Sequence, residues 1–224
     1  MTGRRFSHVR RARLSECDPR GRLRYDAMAC WLQDIAADDV RDAGLGDADG
    51  LWLLRRINIA VTSWPRYRED VEVVTWASGT GGAVAERRTS MGSGAVEATA
   101  VWAAVDPHTM RPIRLTDRFY DIYGASSAGR RVTARLTHPD PPEGAIARDW
   151  PLRYTDLDRV GHVNNAAYLA AAEDIFEGDP PKQLEIEYRT ALNPTPTPQL
   201  LTTSTAMWFV QTGRVTTTLR WKSS

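Results

Sequence analysis

The feature that most constrains this fold is an internal repeat, in which the second half of the chain matches the first at an offset of 140 positions. The matched residues are Arg13 and Arg153, Asp18 and Asp158, Gly21 and Gly161, Ala27 and Ala167, and Asp34 and Asp174. Farther along, the offset falls to 129, so that Ile57 aligns with Ile186 and Pro65 with Pro194. A shorter helix in the second copy would produce this drop. The repeat predicts two copies of one strand-helix-sheet unit, the second leaning on the first.

The first copy contains one helical segment and several strand-like segments. Apolar residues recur at steps of three and four over 25–43, which predicts a helix that Gly44 ends. Segments rich in Val, Ile, Thr and Trp, separated by turns such as "SGTGG" at 78–82, predict antiparallel strands at 53–63, 70–77, 83–91 and 95–105. The helix of the second copy is expected to begin near Asn164 or Asn165. This copy is also expected to lack a final strand.

The domain organisation follows from a change of composition in the middle of the chain. A stretch rich in Gly, Ser and Pro at 124–148 has no sustained period, so we expect it to link the two units. The prediction is an N-terminal lobe over 1–123 and a C-terminal lobe over 149–224. With 42% hydrophobic residues among 224, the chain has enough apolar side chains to bury a sizeable core.

Charge and cysteine content argue against several classes of protein. Lys and Arg number 29 against 28 Asp and Glu, and a net charge of +1 gives no reason to expect a nucleic-acid partner. Cys17 and Cys30 match no zinc or redox spacing, so we expect a reducing cytoplasm and no metal or cofactor. The basic N-terminus lacks an apolar stretch, and the longest apolar run, 98–105, is too short to span a bilayer. We therefore expect neither export nor a membrane partner.

The most unusual stretch is "RYTDLDRVGHVNNAAYLAAAED" at 153–174, where polar side chains crowd just ahead of the second helix. They are Asp156, Asp158, His162, Asn164 and Asn165. The corresponding turn of the first copy, "ECDPRGRLRYD", keeps Asp18 but has Arg22, Arg24 and Tyr25 at the last three positions. A helix cap needs only one such side chain. The divergence predicts that the second turn is specialised for chemistry.

The chemistry expected of this turn follows from its position. The first turn of a helix exposes main-chain N–H groups and a partial positive charge, which can polarise a carbonyl. Gly161 would let a substrate approach the main chain, and N–H groups near Gly161 and Val163 are the predicted donors. Asp158 is expected to act as nucleophile or as base toward water, and His162 to move a proton. These groups suit hydrolysis of an activated acyl group. For Asp158 taken alone, helix capping is an equally good explanation.

At these residues the sequence resembles a known family. "DLDRVGHVNNAAYL" at 156–169 resembles the D-x-D-x-N-x-H-V-N-N-x-x-Y signature of the acyl-acyl carrier protein thioesterases. "LWLLRRINIAVTSWPRYREDVEVVTWASG" at 51–79 is similar to the N-terminal lobe of that family, with its Arg-Arg pair, Trp-Pro-Arg turn and strand ending in Thr-Trp. The match spans roughly 8–120 and 150–215. It implies an α+β fold of the tandem (double) hotdog type, with two antiparallel sheets each wrapped around a long helix.

The resemblance also implies a reaction, namely cleavage of a fatty acyl thioester carried on phosphopantetheine. It assigns the Asp and His of the motif to Asp158 and His162, and it places the acyl chain mainly in the first lobe. Small residues on the first helix, such as Ala36 and Ala37, would leave room for that chain. The residues expected to bind substrate are Asn164, Asn165, Trp31, Arg55 and Arg56.

The sequence departs from the family pattern at three positions. Val160 stands where the family has a catalytic Asn, and Ala191 and Leu192 stand where the plant enzymes have an acidic residue and a cysteine. Single-lobe hotdog thioesterases resemble this chain in using a turn Asp without that Asn. We therefore expect Asp158 and the helix end to suffice, although loss of a general base costs a factor of about 10² to 10⁴ in rate.

The leading hypothesis is hydrolysis of acyl-ACP or acyl-CoA thioesters, which releases free fatty acid in the cytoplasm. The thioester of acyl carrier protein or coenzyme A would be the partner, and a homodimer is compatible with the sequence. Two other functions remain open. One is an acyl-binding or regulatory hotdog protein that has lost catalysis. The other, less favoured because the first lobe offers no matching His, is a hotdog dehydratase or hydratase.

Overall fold

The computed structural model describes residues 3–46, 51–159, 161–176 and 178–222. The strands within these ranges are β1 (Phe6–Arg11), β2 (Leu51–Val61), β3 (Asp70–Gly81), β4 (Val84–Met91), β5 (Val96–Val105), β6 (Ile146–Asp149), β7 (Gln183–Tyr188), β8 (Gln199–Thr202), β9 (Ala206–Gln211) and β10 (Arg214–Trp221). The helices are α1 (Tyr25–Asp42), α2 (Asp117–Ser127) and α3 (Asn165–Phe176). A single 3-10 turn precedes each of the two central helices, at Leu14–Glu16 before α1 and Tyr154–Asp156 before α3.

The two central helices, α1 and α3, begin 140 positions apart, as the repeat predicts. α1 has 18 residues and α3 has 12, which accounts for part of the later drop in offset. The apolar face of α1 buries side chains that include Met28, Trp31 and Ile35. Gly44 follows α1 with a φ of +72°, a left-handed conformation that glycine adopts without strain. One hydrophobic core extends through both lobes beneath α1 and α3.

The strands form one antiparallel sheet in the order β1-β3-β4-β5-β2-β7-β10-β9-β8-β6. The order is mirrored about the β2–β7 pair, where Ile57 lies opposite Ile186. Each lobe therefore supplies five strands among the described residues, and the sheets of the two lobes are continuous. The tandem hotdog fold is confirmed.

The expectation that the second copy lacks a final strand is wrong. β10 closes the second lobe by pairing with both β7 and β9. Its central residues are Thr216, Thr217 and Thr218, which are almost completely buried. A run of threonines does not look like a core strand in the sequence, because its side chains are polar. Their methyl groups and β-branched shape nevertheless suit a packed sheet.

The turn predicted at 78–82 begins later than expected, because β3 continues to Gly81. A Cβ atom at Gly81 would lie 2.0 Å from the carbonyl oxygen of Val132. The N–H of Thr80 donates to the carbonyl of Arg130 at 2.9 Å, and the N–H of Val132 donates back to Thr80 at 3.1 Å. Glycine is needed here for the close approach of the segment at 130–132, which lies in the stretch predicted as a linker.

Farther along, the same stretch crosses the face of the sheet opposite α1 and α3. Glu187, on β7, accepts the N–H groups of Thr137 at 2.8 Å and His138 at 2.9 Å. Arg56 donates to the carbonyl of Arg135 at 3.3 Å.

No helix in the described ranges combines the length and the apolar character that crossing a bilayer requires.

Candidate active site

The turns that lead into α1 and α3 share one hydrogen-bonded frame. The acid that ends each 3-10 turn accepts the N–H of the residue three positions earlier, Glu16 from Arg13 at 2.8 Å and Asp156 from Arg153 at 2.7 Å. The residue just before each helix donates its N–H to the carbonyl of the same acid. Arg24 donates to Glu16 at 3.0 Å, and Asn164 donates to Asp156 at 2.8 Å. The repeat in sequence is therefore a repeat in local structure, and differences between the two ends stand out.

In the second turn, Asp158 is half-buried and bonded within the turn. Its N–H donates to the carbonyl of His162 at 2.8 Å, and its Oδ1 accepts the N–H of His162 at 3.0 Å. Gly161, at a φ of +82°, donates its N–H to the carbonyl of Asp158 at 3.0 Å. The side chain of His162 is exposed. The turn thus fixes the carboxylate of Asp158 beside the start of α3.

In the first turn, an arginine pairs with the matching aspartate. Arg22 Nε lies 2.8 Å from Asp18 Oδ2, and each of these side chains is 11% exposed. Burial alone would raise the pKa of Asp18, but the hydrogen bonds and positive charge of Arg22 outweigh burial and lower that pKa. The Arg22 guanidinium also lies over the ring of Trp64. The carboxylate of Asp18 is therefore neutralised by a salt bridge.

The start of α3 leaves one main-chain donor available. Asn164 caps the helix, since its Oδ1 accepts the N–H of Ala166 at 2.8 Å and its carbonyl accepts that of Ala167 at 2.9 Å. The N–H of Val163 donates to the carbonyl of Leu192 at 3.2 Å. Within the part of the chain that the structure describes, the N–H of Asn165 has no acceptor.

This arrangement changes the predicted carbonyl donors. The N–H groups of Gly161 and Val163 are both used within the protein, by the turn and by the loop that carries Leu192. The amide that remains for a ligand belongs to Asn165, the first residue of the helix. Sequence reasoning placed Asn165 near the substrate but did not single out its main-chain N–H.

The start of α1 is occupied. The N–H of Tyr25, which matches Asn165 in the repeat, donates to Glu173 Oε1 at 2.6 Å. Burial raises the pKa of Glu173 to about 7, although the hydrogen bond from Tyr25 partly offsets this effect. The Tyr25 hydroxyl donates to the carbonyl of Pro181. A carboxylate of the protein itself therefore fills the place at α1 that stays open at α3.

Gln33 is a site residue that sequence reasoning missed. It is the counterpart of Glu173 in the repeat, 140 positions earlier, and it lies on α1 facing the start of α3. Gln33 Nε2 donates to Asn164 Oδ1, and Asn165 Nδ2 donates to Gln33 Oε1, both at 3.4 Å. The repeat offset was the signal that pairs Gln33 with Glu173. Only the packing of α1 against α3 brings it to this site.

A slot of about 390 Å³ begins at Gln33 and continues under α1 in the first lobe. Its lining is mostly apolar and aromatic, with Ala36, Ala37, Val40, Trp52, Trp102 and Phe119 among its residues. α1 contains four alanines, and two of them, Ala36 and Ala37, line this slot. The other two, Ala27 and Ala29, are buried in the core.

The repeat explains why the second lobe is filled where the first is hollow. Ala36 matches Phe176 at the offset of 140. Trp102 matches Trp221, because Trp102 comes two residues after Ala100, the sheet partner of Ile57, and Trp221 comes two residues after Leu219, the sheet partner of Ile186. The rings of Phe176 and Trp221 meet edge to face with centroids 5.2 Å apart. Alanine at position 36 leaves the equivalent space beside Trp102 open.

Three residues expected to bind substrate lie away from the open helix end. Trp31 is 2% exposed in the core, and its Nε1 donates to Glu16 at 2.9 Å. Arg55 donates to the carbonyl of Arg189 at 3.1 Å. Arg56 lies on the face of the sheet that carries the 130–140 segment, because it alternates with the buried Ile57. None of the three lines the slot.

Of the three departures from the family motif, Val160 lies outside the described residues. Ala191 is exposed. Leu192 is fully buried, and its carbonyl holds the N–H of Val163. At position 192 the structure therefore has an apolar side chain and a main-chain contact that supports the turn.

Two further groupings of polar residues lie elsewhere in the described ranges. A polar cavity of about 580 Å³ adjoins the closed end of α1, and Arg24, Arg153, Trp150 and Glu173 are among its lining residues. His138, Glu185 and Glu187 have a spacing that could hold a metal ion. However, Glu187 already accepts two N–H groups, and His138 Nε2 lies 2.8 Å from Glu185 Oε1. These contacts satisfy the polar atoms without a metal.

The fold and these two helix ends define a tandem hotdog protein, in which one helix N-terminus is closed by a carboxylate and the other opens beside an apolar slot. The family profile of the acyl-ACP thioesterase N-terminal domain matches residues 3–123, and that of the C-terminal domain matches residues 140–208. The chain belongs to the acyl-ACP thioesterase family, whose members are thioester hydrolases.

Similar proteins occur in bacteria and plants. An uncharacterised protein of Mycobacterium tuberculosis is 27% identical over 189 residues, which covers 80% of this chain and 74% of the relative. The chloroplastic palmitoyl-acyl carrier protein thioesterase of Arabidopsis thaliana is 27% identical over 185 residues, 70% of this chain and 45% of the relative. The chain therefore spans about half the length of the plant enzymes it matches.

Solved structures share the architecture. The 12:0-ACP thioesterase from Umbellularia californica superposes with a TM-score of 0.81 at 21% identity, over 99% of this chain and 98% of that chain. An acyl-ACP thioesterase from Bacteroides thetaiotaomicron also has a TM-score of 0.81, at 18% identity, over 97% and 96% of the two chains. Both similarities identify the fold.

Proposed function

We propose that this chain hydrolyses fatty acyl thioesters at the start of α3 and releases free fatty acid. The observation that carries the proposal is the contrast between the matched amides. The N–H of Tyr25 holds the carboxylate of Glu173, whereas the N–H of Asn165 has no acceptor within the described residues. A preorganised donor at a helix end, next to a fixed carboxylate, suits a carbonyl that becomes an oxyanion.

In the proposed reaction, the thioester carbonyl oxygen accepts the N–H of Asn165. Asp158 acts as base and takes a proton from water, whose oxygen adds to the carbonyl carbon. When the C–S bond breaks, the thiolate leaves with the bonding pair and is then protonated, with His162 positioned to relay a proton between the turn and solvent. Direct attack by Asp158 would instead pass through an acyl-enzyme that water hydrolyses. Hydrolysis in oxygen-18 water under single-turnover conditions tests for direct attack, because label in the side chain of Asp158 requires that water add to the aspartyl carbon of a mixed anhydride.

The acyl chain is proposed to lie in the slot of the first lobe. Gln33 supports this placement because it contacts Asn164 and Asn165 and also lines the slot. The division of labour would then be acyl binding in the lobe over 1–123 and chemistry in the lobe over 149–224, joined by 124–148. Arg55 and Arg56 are not needed in this arrangement.

The carrier is proposed to be acyl carrier protein or coenzyme A, and the setting to be fatty acid synthesis in the cytoplasm. Family membership supports the carrier class. Two unpaired cysteines, Cys17 and Cys30, support a reducing compartment. A homodimer remains part of the hypothesis, and sedimentation of the purified chain would test it.

The test is thiol release from acyl-CoA and acyl-ACP thioesters by the wild-type chain and two matched variants. Asp158→Asn keeps an Oδ1 that accepts the N–H of His162, so the turn should fold, but the variant lacks the base. We expect turnover to fall by a factor of about 10² to 10⁴. Asp18→Asn changes the matching residue of the first turn and should leave turnover within about twofold.

Other outcomes would point to other functions. Saturable binding of the thioester without thiol release by the wild-type chain would indicate an acyl-binding protein. Addition of water to an enoyl thioester would indicate a hydratase. Equal turnover by Asp158→Asn and the wild type would remove Asp158 from the mechanism.

A further inference from the structure

Of the charged side chains that line the slot, Arg41 is 87% exposed to solvent and Glu86 pairs with Arg130, whereas Arg87 is mostly buried and would not be required by an unsubstituted alkyl chain. Arg87 is on β4, where its neighbours across the sheet are Ala77 on β3 and Ala100 on β5. Both alanines are buried on the face that carries α1, so Arg87 projects inward, and it lines the slot. The matching residue in the second lobe is Met207, which is fully buried in the core. The first lobe therefore has a guanidinium at the position where the second lobe has a methionine side chain.

Two of the N–H groups of Arg87 are engaged. Its Nη1 donates to Asp39 Oδ2 at 2.7 Å and to Thr75 Oγ1 at 3.3 Å. Asp39 is 1% exposed and also accepts Arg4 Nε at 2.7 Å and the Tyr123 hydroxyl at 2.9 Å. Asp39 therefore keeps a cation and a hydroxyl as partners even without Arg87.

The other N–H groups of Arg87 belong to a guanidinium that lines the slot and lies over the ring of Tyr123, with its carbon 5.6 Å from the ring centroid. A guanidinium has five N–H groups, and within the described ranges Nε and Nη2 have no acceptor. Neither Nε nor Nη2 is a fully buried polar atom without a partner, and the Arg87 side chain as a whole is 11% exposed. Because Arg87 points beneath α1, the exposed part faces the slot. A plain hydrocarbon chain there would strip water from these donors and give no acceptor in return.

We infer that the slot selects an acyl chain that carries a neutral oxygen, as a hydroxyl or oxo group, at the level of Arg87. The inference rests on the proposed function, since it takes the slot as the acyl site. A neutral oxygen is preferred over a carboxylate because Asp39 and Asp42 together already balance the charges of Arg87 and Arg4, and a further carboxylate would be repelled. Asp39 lies six residues after Gln33 on α1, about 9 Å along the helix axis. The oxygen is therefore expected in the middle of the chain, well away from the thioester.

The experiment compares dodecanoyl thioesters with isomers that carry a hydroxyl at successive positions, all on one carrier. For each chain, kcat/KM is measured by thiol release, and Kd is measured by calorimetry with the matching non-hydrolysable thioether. The wild type should prefer a mid-chain hydroxyl over the plain chain by about tenfold in both readouts. Arg87→Met should abolish that preference and improve the plain chain. Arg88→Met is the matched control, because Arg88 is the next residue on β4, is half exposed and does not line the slot.

The outcomes separate this inference from the proposed function. Absence of turnover with every thioester would contradict the proposed function, while the thioether affinities would still decide the inference. A wild type that binds the plain chain at least as well as every hydroxy isomer would overturn the inference. So would an Arg87→Met variant that weakens all chains by the same factor, because that is the result of a purely structural role. A preference for a carboxylate-ended chain would contradict the choice of a neutral oxygen. If Arg87→Met fails to fold, the wild-type preference alone decides.

Discussion

Two single-residue differences between the copies distinguish the proposed catalytic turn and the slot from their counterparts. At one position, Arg22 neutralises the aspartate of the first turn, whereas the second turn has His162, whose ring is exposed. At the other, Phe176 fills the second lobe against Trp221, whereas Ala36 leaves the slot open in the first. The turns have the same backbone frame in both copies, whereas α3 ends at Phe176 and α1 continues for six residues past Ala36. The slot lies in the first lobe and Asp158 in the second, and Gln33 connects the two regions because it lines the slot and also contacts Asn164 and Asn165.

The role of Ala36 leads to a prediction about chain length. Ala36→Phe should narrow the slot without unfolding the protein, since the repeat accepts Phe at the matching position. Long-chain thioesters should lose at least about tenfold in kcat/KM, because an overfilled cavity costs about 1–3 kcal/mol. Short-chain thioesters should be unaffected. Measuring kcat/KM from butanoyl to stearoyl thioesters checks this.

The control for Ala36→Phe is Ala170→Phe, which adds the same ring to α3 beside the polar cavity rather than the slot. It should leave the chain-length profile unchanged. If Ala36→Phe keeps the wild-type profile for long chains, the acyl group does not lie in the slot.

At the scale of elements, the start of α3 is held by a cap and by a neighbouring helix. Asn164 accepts the N–H of Ala166, and its Oδ1 also accepts Gln33 Nε2 from α1. The contact with Gln33 is long, at 3.4 Å, so most of the stabilisation comes from the cap. The amide of Asn165 is thus presented by a helix end that is fixed from both sides.

The cap can be tested by its effect on stability. Asn164→Ala should lower the free energy of unfolding by about 1 kcal/mol, because it removes the acceptor for the N–H of Ala166. Asn164→Asp, which keeps an acceptor at this helix N-terminus, should stay close to the wild type. Urea denaturation of the three proteins gives the comparison. Equal midpoints for the alanine variant and the wild type would mean that Asn164 does not cap α3.

Much of this local structure could be predicted from the sequence. The repeat placed α1 and α3 at equivalent positions, and the start of α3 was predicted to within one residue. The use of the Val163 N–H could not be foreseen, because its acceptor is the carbonyl of Leu192, which only the folded loop after β7 brings near. Gln33 was missed for the same reason, since it arrives from the other lobe.

At the scale of the whole molecule, the lobes are joined by a continuous sheet and by contacts between α1 and α3. The alignment of Ile57 with Ile186 identified equivalent residues, but it could not show that these residues face each other across the β2–β7 pair. Glu173 of α3 also crosses between lobes to accept the N–H of Tyr25 on α1. This carboxylate lies at the lobe interface, and burial raises its pKa to about 7.

The raised pKa of Glu173 predicts a pH dependence of stability. Between pH 4.5, the ordinary value for this carboxyl, and about 7, the folded state holds a proton that the unfolded state has lost. The free energy of unfolding should therefore fall as pH rises through this window, by an amount on the order of 2–3 kcal/mol. Glu173→Gln has no proton to lose and should show a flatter profile. Denaturation at several pH values checks the difference between the two proteins, and parallel profiles would contradict the assignment.

The proposal that the main-chain N–H of Asn165 holds the thioester carbonyl can be tested with one pair of substitutions. Asn165→Pro removes that N–H at the first position of the helix, where proline is well tolerated. Asn165→Ala removes the same side chain but keeps the N–H. We expect kcat for thiol release to fall by a factor of about 10² to 10³ in Asn165→Pro relative to Asn165→Ala, with both proteins folded. Equal kcat values for the two variants would show that the carbonyl is held elsewhere.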